Sequence, residues 1–179
     1  MRLFVGIALP GELRARLSAL RGGLKGARWV AEANLHLSLR FIGEITGGFE
    51  ADIDAALQPL RVPAFSLTVA GLGAFERRGR VHAVWAGVEK SDALMALHEK
   101  IESALVRAGL EPEHRKFKPH VTLARLNGGS AADAGLYIET HAAFAAAPFV
   151  VDRVTLFESH LGHGGSHYVA LADYPPAPI

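Results

Sequence analysis

No cysteine occurs among the 179 residues. That excludes a disulfide framework, a thiolate nucleophile and thiolate metal ligation, and it makes the cytoplasm the default setting. Long apolar runs are missing too. The least polar stretch, Ala142 to Val151, is ten residues long and broken by Pro148, whereas a membrane-spanning helix needs ~20. The opening MRLFVGIALPGEL is apolar only from Leu3 to Leu9, and no small-x-small cleavage site follows. It reads as a strand rather than a signal peptide. Neither sign of charge is in excess, since 19 basic and 18 acidic residues leave a net charge of +1. This disfavours a long electrostatic track along duplex nucleic acid but leaves room for a grip on one phosphate or one strand end. Half of the residues are apolar. With balanced charge, that excludes dominant disorder and suffices for one core or two small lobes sharing one.

What is present is an alternation of strands and helices. Leu3 to Leu9 predicts a buried strand, and Pro10 suits the first turn of a helix with Leu13, Leu17, Leu20 and Leu24 at helical spacing. Arg28 to Val30 predicts a short strand and Leu35 to Ile42 an alternating one. Phe49, Ile53, Ala56, Leu57 and Leu60 make a second amphipathic helix. Phe65 to Val69 and Val81 to Val88 read as strands joined through the basic turn around Gly79. Ser91 or Asp92 caps a third helix with an apolar face of Leu94, Leu97, Ile101, Leu105 and Ala108, ending at Gly109. Val121 to Leu126, Phe149 to Phe157 and Tyr168 to Leu171 are further strands, the last two joined by the turn Gly162-His163-Gly164-Gly165-Ser166. The segment from Gly128 to Ala147 has no readable pattern, and the tail from Pro175 reads as irregular.

No linker divides the chain, which reads as a single bilobal domain over 1–179. A shift of 84 residues lays His36-Leu37-Ser38-Leu39 on His120-Val121-Thr122-Leu123, and Leu13 and Leu17 on Leu97 and Ile101. In a strand, alternate side chains share a face. His36, Ser38 and Arg40 then point one way and Leu37, Leu39 and Phe41 the other, as His120 and Thr122 oppose Val121 and Leu123. Each strand offers an imidazole and a hydroxyl about 7 Å apart, two residues of strand rise. Of the nine histidines, only these two have Ser or Thr at the second following position.

Two imidazoles facing one another can flank a phosphate. One neutral ring deprotonates water while the other, protonated, donates to the leaving oxygen, and the hydroxyls donate to nonbridging oxygens. Such a pair gives a bell-shaped rate profile centred near neutrality and needs neither metal nor cofactor. The bland alternative is a pair of half-buried strand histidines hydrogen-bonded to Ser38 and Thr122.

The paired His-x-[Ser/Thr]-apolar elements, with RLFVGIALP, NLHLSLRFIGE, FKPHVTLAR and the late glycine-rich turn, resemble the 2H phosphoesterases and, within them, the RNA 2′,3′-cyclic phosphodiesterase branch historically called 2′-5′ RNA ligase. The resemblance spans nearly the whole chain. It implies a bilobal α+β fold, two pseudo-symmetric antiparallel sheets flanking a cleft with helices outside. It implies hydrolysis of a terminal 2′,3′-cyclic phosphate to a 2′-phosphate, with His36 as general acid and His120 as general base. Partners are then RNA ends or small cyclic nucleotides, with no obligate protein partner. Reversible 2′-5′ ligation, the same chemistry with a ribose hydroxyl replacing water, and noncatalytic binding of RNA ends are the rival readings. The one departure noted is Ser38, where the family more often has threonine.

Two arginines are candidate phosphate ligands. Arg125 matches the basic residue after the second family motif, yet strict alternation turns it away from His120 unless a bulge intervenes. Arg40 lies on the catalytic face by alternation, with a looser family match. His160, His163 and His167 straddle a glycine turn without a carboxylate set, a poor metal site. Trp29, Phe75 and Trp85 are candidates for stacking on a base or for the core.

Overall fold

The computed structural model describes residues 1–175; of the irregular tail expected from Pro175, Pro175 itself lies in no element and the rest is outside the described residues. The opening apolar run forms β1 (Arg2–Ala8), with Leu3 to Ile7 all buried. It is an interior strand, antiparallel to β3 (His36–Glu44) on one side and β9 (Val154–Gly162) on the other. With β10 (Gly165–Tyr174) outside β9, the first sheet has the order β10-β9-β1-β3. The second has the order β2-β7-β6-β5, from β2 (Arg28–Trp29), β7 (His120–Ser130), β6 (Arg80–Val88) and β5 (Val69–Arg77). A small ladder pairs β4 (Phe65–Leu67) with β8 (Phe149–Val151). The expected α+β fold of two antiparallel sheets is borne out. The strands that carry the two histidine motifs, β3 and β7, adjoin where the sheets meet.

Helices cover the outer faces. α1 spans Gly11–Ser18 and buries Leu13 and Leu17. It is shorter than the leucine spacing predicts, because Gly22 and Gly23 both take positive φ and the chain leaves the helix before Leu20 and Leu24. α2 (Phe49–Leu57) and α3 (Asp92–Arg107) pack on each other, and α3 packs on β3. Ser91 caps α3, its Oγ accepting from the Leu94 N–H at 3.1 Å, and Leu94, Leu97, Ile101 and Leu105 are buried. Each contributes about 2 kcal/mol on leaving water. α4 (Ala131–Thr140) lies against β5, β6 and β7.

Two elements escape the sequence reading. β5 runs on to Arg77, hidden by Gly71 and Gly73. Gly73 is opposite Trp85 across the hairpin, and a Cβ there would lie 2.2 Å from the indole. Gly73→Ala is therefore expected to displace Trp85 and lower the thermal midpoint, a loss that Trp85→Phe relieves in the double variant. α4 sits in the unreadable segment. It is small-residue-rich, held by a Ser130 cap and by the Tyr137 hydroxyl donating to the Leu20 carbonyl at 2.7 Å.

A β-bulge interrupts each motif strand. Val5 pairs with Arg40 but its neighbour Gly6 pairs with Ser38, leaving Leu39 extra. Val84 pairs with Ala124 but Trp85 pairs with Thr122, leaving Leu123 extra. The two extra residues are 84 positions apart, the offset that superposes the motifs. Beyond each bulge the alternation reverses: Leu39 and Arg40 are both buried, as are Leu123 and Ala124, while Phe41 and Arg125 come to the exposed face.

Candidate active site

His36 opens β3 and His120 opens β7. The Nδ1 of His36 lies 2.7 Å from the Asn34 carbonyl, and that of His120 lies 2.6 Å from the Lys118 carbonyl. A carbonyl only accepts, so each Nδ1 carries hydrogen and donates, and Nε2 is left as the reactive nitrogen of both rings. Asn34 and Lys118 are again 84 residues apart. His36 Nε2 sits 2.8 Å from Ser38 Oγ; with the ring neutral, the hydroxyl donates to it. Aromatic rings fix both imidazoles. Phe4 lies 4.7 Å and Tyr168, edge-on, 5.1 Å from His36. Phe75 stands edge-on to His120 at 4.8 Å, with Trp85 at 6.0 Å.

Both histidines, Ser38, Thr122 and Arg125 line one crevice of about 30 Å³, with Val30, Asn34 and Tyr168. It lies within a wider cleft of about 540 Å³ that adds Phe4, Phe41, Phe75, Arg2 and Arg115 to the walls. Burial holds both imidazoles below their ordinary value, against the opposing pull of the carbonyls of Asn34 and Lys118. The Arg125 charge lowers both further, and His120, when charged, lowers His36 again. The free protein at neutral pH therefore holds two neutral imidazoles beside one fixed cation.

The arginines exchange the places that alternation assigns them. The bulge at Leu123 carries Arg125 round to the crevice. The bulge at Leu39 does the reverse to Arg40, which corrects its expected place on the catalytic face. Arg40 is 8% exposed, its guanidinium paired with the Glu102 carboxylate and donating to the carbonyls of Phe41 and Glu111 at 2.6 Å each. Burial pushes Glu102 up, but the Arg40 bond and the Glu113 N–H hold its carboxyl below the usual range on balance. Arg40 thus ties β3 to α3, its guanidinium held by three partners, and it is not among the residues that line the crevice. Arg40→Ala is expected to cost about 3–5 kcal/mol, as removal of one member of a buried pair does. That is roughly 10 °C in thermal midpoint for a chain of this size, with turnover per folded molecule retained.

Other candidates separate cleanly. Trp29 packs on Tyr137, a core position. Phase of the strands puts Phe75 in the cleft wall, while Trp85 lies behind His120 with its Nε1 buried and unpartnered. His160 and His167 are a cross-strand pair with rings 6.5 Å apart, and His160 Nε2 is 3.2 Å from Glu158. Among the described residues no three His, Asp or Glu side chains are grouped to hold a metal ion. No helix among them is long and apolar enough to cross a membrane. Sequence reasoning missed Phe4, Phe41 and Tyr168 in the cleft. It missed also the carbonyls of Asn34 and Lys118, which the 84-residue register could have found.

A cleft between two antiparallel sheets, with an imidazole and a hydroxyl from each, is the bilobal α+β architecture of a 2H phosphoesterase. Residues 9–163 match the family model of the 2′-5′ RNA ligase superfamily, and the chain belongs to that superfamily. It is similar to the RNA 2′,3′-cyclic phosphodiesterase of Thermotoga maritima, 36% identical over 132 residues that cover 70% of each chain. The Escherichia coli K12 protein of the same name is 31% identical over 95% of this chain and 93% of its own. Among solved structures, E. coli LigT complexed with 3′-AMP superposes with a TM-score of 0.80 at 28% identity, covering 99% of this chain and 98% of that one.

Proposed function

We propose that this protein is a metal-independent RNA 2′,3′-cyclic phosphodiesterase, a cytoplasmic enzyme that opens terminal cyclic phosphates to 2′-phosphomonoesters. The observation that carries the reading is the pair of imidazoles pinned at Nδ1, their Nε2 atoms available to one crevice beside Arg125. Superfamily membership and relatives named for this activity support it. In the proposed step, His120 Nε2 takes a proton from water as the water oxygen bonds to phosphorus. His36 Nε2–H gives its proton to the 3′ oxygen as the P–O3′ bond breaks. Ser38, Thr122 and Arg125 hold the nonbridging oxygens, where charge builds. The Ser38 hydroxyl leaves His36 for the phosphate in this step.

The electrostatics of the free site set the pH dependence. The reactive state has one imidazole protonated and one neutral, so its population peaks midway between the two pKa values. Both values are depressed, so the peak in kcat/KM moves to the acid side of the ordinary imidazole value of about 6.5 rather than to neutrality. A bound phosphate anion favours imidazolium and offsets the burial, so the kcat profile is expected at higher pH than the kcat/KM profile. Coincident profiles above neutrality contradict this.

A charged His120 depresses His36, so His36 acts as the acid with its proton held between Nε2 and the leaving oxygen of bound substrate. Product identity tests the assignment. Phosphorus NMR of an opened 2′,3′-cyclic nucleotide is expected to give the 2′-phosphate, in the presence of chelator as in its absence. A 3′-phosphate product reverses the two roles, and no turnover removes the reading.

A further inference from the structure

The exposed face of β7 continues past Arg125 into a separate hollow of about 490 Å³, lined by Arg77, Arg78, Arg80, His82, Asn127 and Gly128. Among the described residues no carboxylate lines it, and the mechanism uses none of these residues. Two features connect it to the crevice. Arg125 and Asn127 are exposed with buried Leu126 between them, so they share a face about 7 Å apart by strand rise. At this point Leu126, Asn127 and Gly128 stand opposite the single residue His82, because Val81 pairs with Gly129 and Ala83 with Arg125. The bulge, with Gly128 at φ +74°, opens the ladder where the hollow lies.

The turn at the hairpin tip carries an independent sign of function. Arg78 (φ +53°) and Gly79 (φ +75°) form a two-residue loop with both φ positive, a geometry that Asn-Gly or Asp-Gly fills with least strain. Arg78 is the one non-glycine residue with positive φ among the described residues. A long L side chain is disfavoured there, so the hairpin itself gives no reason for arginine over asparagine. What arginine adds is charge. Among the described residues, Arg77, Arg78 and Arg80 form no ion pair; Arg80 Nη1 donates to the Gly128 carbonyl at 3.4 Å.

The geometry points to this hollow as a second phosphate-binding subsite, for an internucleotide phosphate of the RNA strand whose cyclic end occupies the crevice. The inference rests on the proposed reading of the crevice. Guanidinium groups match phosphodiester oxygens with paired donors, and a local cluster supplies this grip without a strongly basic chain. A cyclic mononucleotide fills the crevice alone, whereas a strand reaches both sites. The enzyme therefore prefers oligonucleotide ends, by a margin that salt erodes.

The test compares kcat/KM for a short RNA ending in a 2′,3′-cyclic phosphate with that for a 2′,3′-cyclic mononucleotide, over a KCl series. The proteins are the wild type, Arg78→Asn and the triple variant Arg77→Gln, Arg78→Asn, Arg80→Gln. Arg78→Asn removes the charge while relaxing the turn, so its thermal midpoint is expected to hold or rise. For the oligonucleotide, the slope of log(kcat/KM) against log[KCl] is expected to shrink by about 0.7 in the triple variant, the share of one single-strand phosphate, and by less in Arg78→Asn, with roughly a tenfold loss at low salt in the triple variant. Mononucleotide turnover stays unchanged. An unaltered oligonucleotide slope, or a parallel loss on the mononucleotide, overturns the subsite. If the wild type turns over neither substrate, the crevice reading fails separately. The subsite is then judged by fluorescence anisotropy with the same labelled RNA: weaker, less salt-sensitive binding by the variants upholds it, and equal binding by all three proteins overturns it.

Discussion

Alanine at His36 or at His120 is expected to lower turnover of a 2′,3′-cyclic nucleotide by about 10²–10⁴, the contribution of one positioned acid–base group. The reason is geometric. Each ring has its Nδ1 committed to a backbone carbonyl and one face or edge held by an aromatic ring, so no nearby group can take over its Nε2. If both act in one in-line displacement, removing the second after the first costs far less, because groups that work as a unit are non-additive. Ser38→Ala and Thr122→Ala are expected to cost less than either histidine, each removing one of several donors to the phosphate. His160→Ala, His163→Ala and His167→Ala are expected to leave turnover near the wild-type value. Steady-state kinetics of the single variants and the double histidine variant decide this. Full additivity of the two histidine losses would mean that they serve separate steps.

The motifs were legible in the sequence because chemistry and periodicity coincide there. An imidazole and a hydroxyl on one strand face, with aliphatic residues on the other, need only strand alternation to be read. Arg40 and Arg125 were not legible for the same reason turned round. A bulge adds one residue without altering local composition, and Leu-Arg after Ser38 looks no different from a regular strand. The information lies in the partner strand, where Val5 and Gly6 skip Leu39 as Val84 and Trp85 skip Leu123. The 84-residue offset contained half of that answer. It aligns Arg40 with Ala124, a buried position, and Phe41 with Arg125, an exposed one. The recurrence of motif, bulge and carbonyl at this one offset supports reading residues 1–179 as a single bilobal domain built on a repeat. α4 and the outer half of β5 escaped for a different reason. Ala and Gly carry little hydrophobic pattern, and their burial is decided by neighbours distant in sequence, Leu20 for Tyr137 and Trp85 for Gly73.

Arg125→Ala is expected to lower kcat/KM by about 10²–10³, the usual loss for one preorganised donor to developing charge. It is also expected to move the pH optimum. Arg125 is the one arginine or lysine whose side chain lines the crevice, and its charge depresses both imidazoles. Without it each imidazolium survives to higher pH, so the midpoint between the two values rises and the kcat/KM maximum moves toward neutrality. Arg125→Lys separates the two effects. Lysine keeps the charge, and with it the acid-side optimum, but lacks the two-pronged fork that matches phosphate oxygens, so part of the rate loss remains. Arg40→Ala supplies the opposite pattern, a fall in thermal midpoint with the pH profile in place, because Arg40 acts on Glu102 and not on the imidazole of His36 or His120. A pH–rate series on the three variants distinguishes a phosphate ligand from a structural cation. An Arg125→Ala enzyme with unchanged kcat/KM and an unmoved optimum would remove Arg125 from the site and leave the hydroxyls of Ser38 and Thr122 to hold the phosphate.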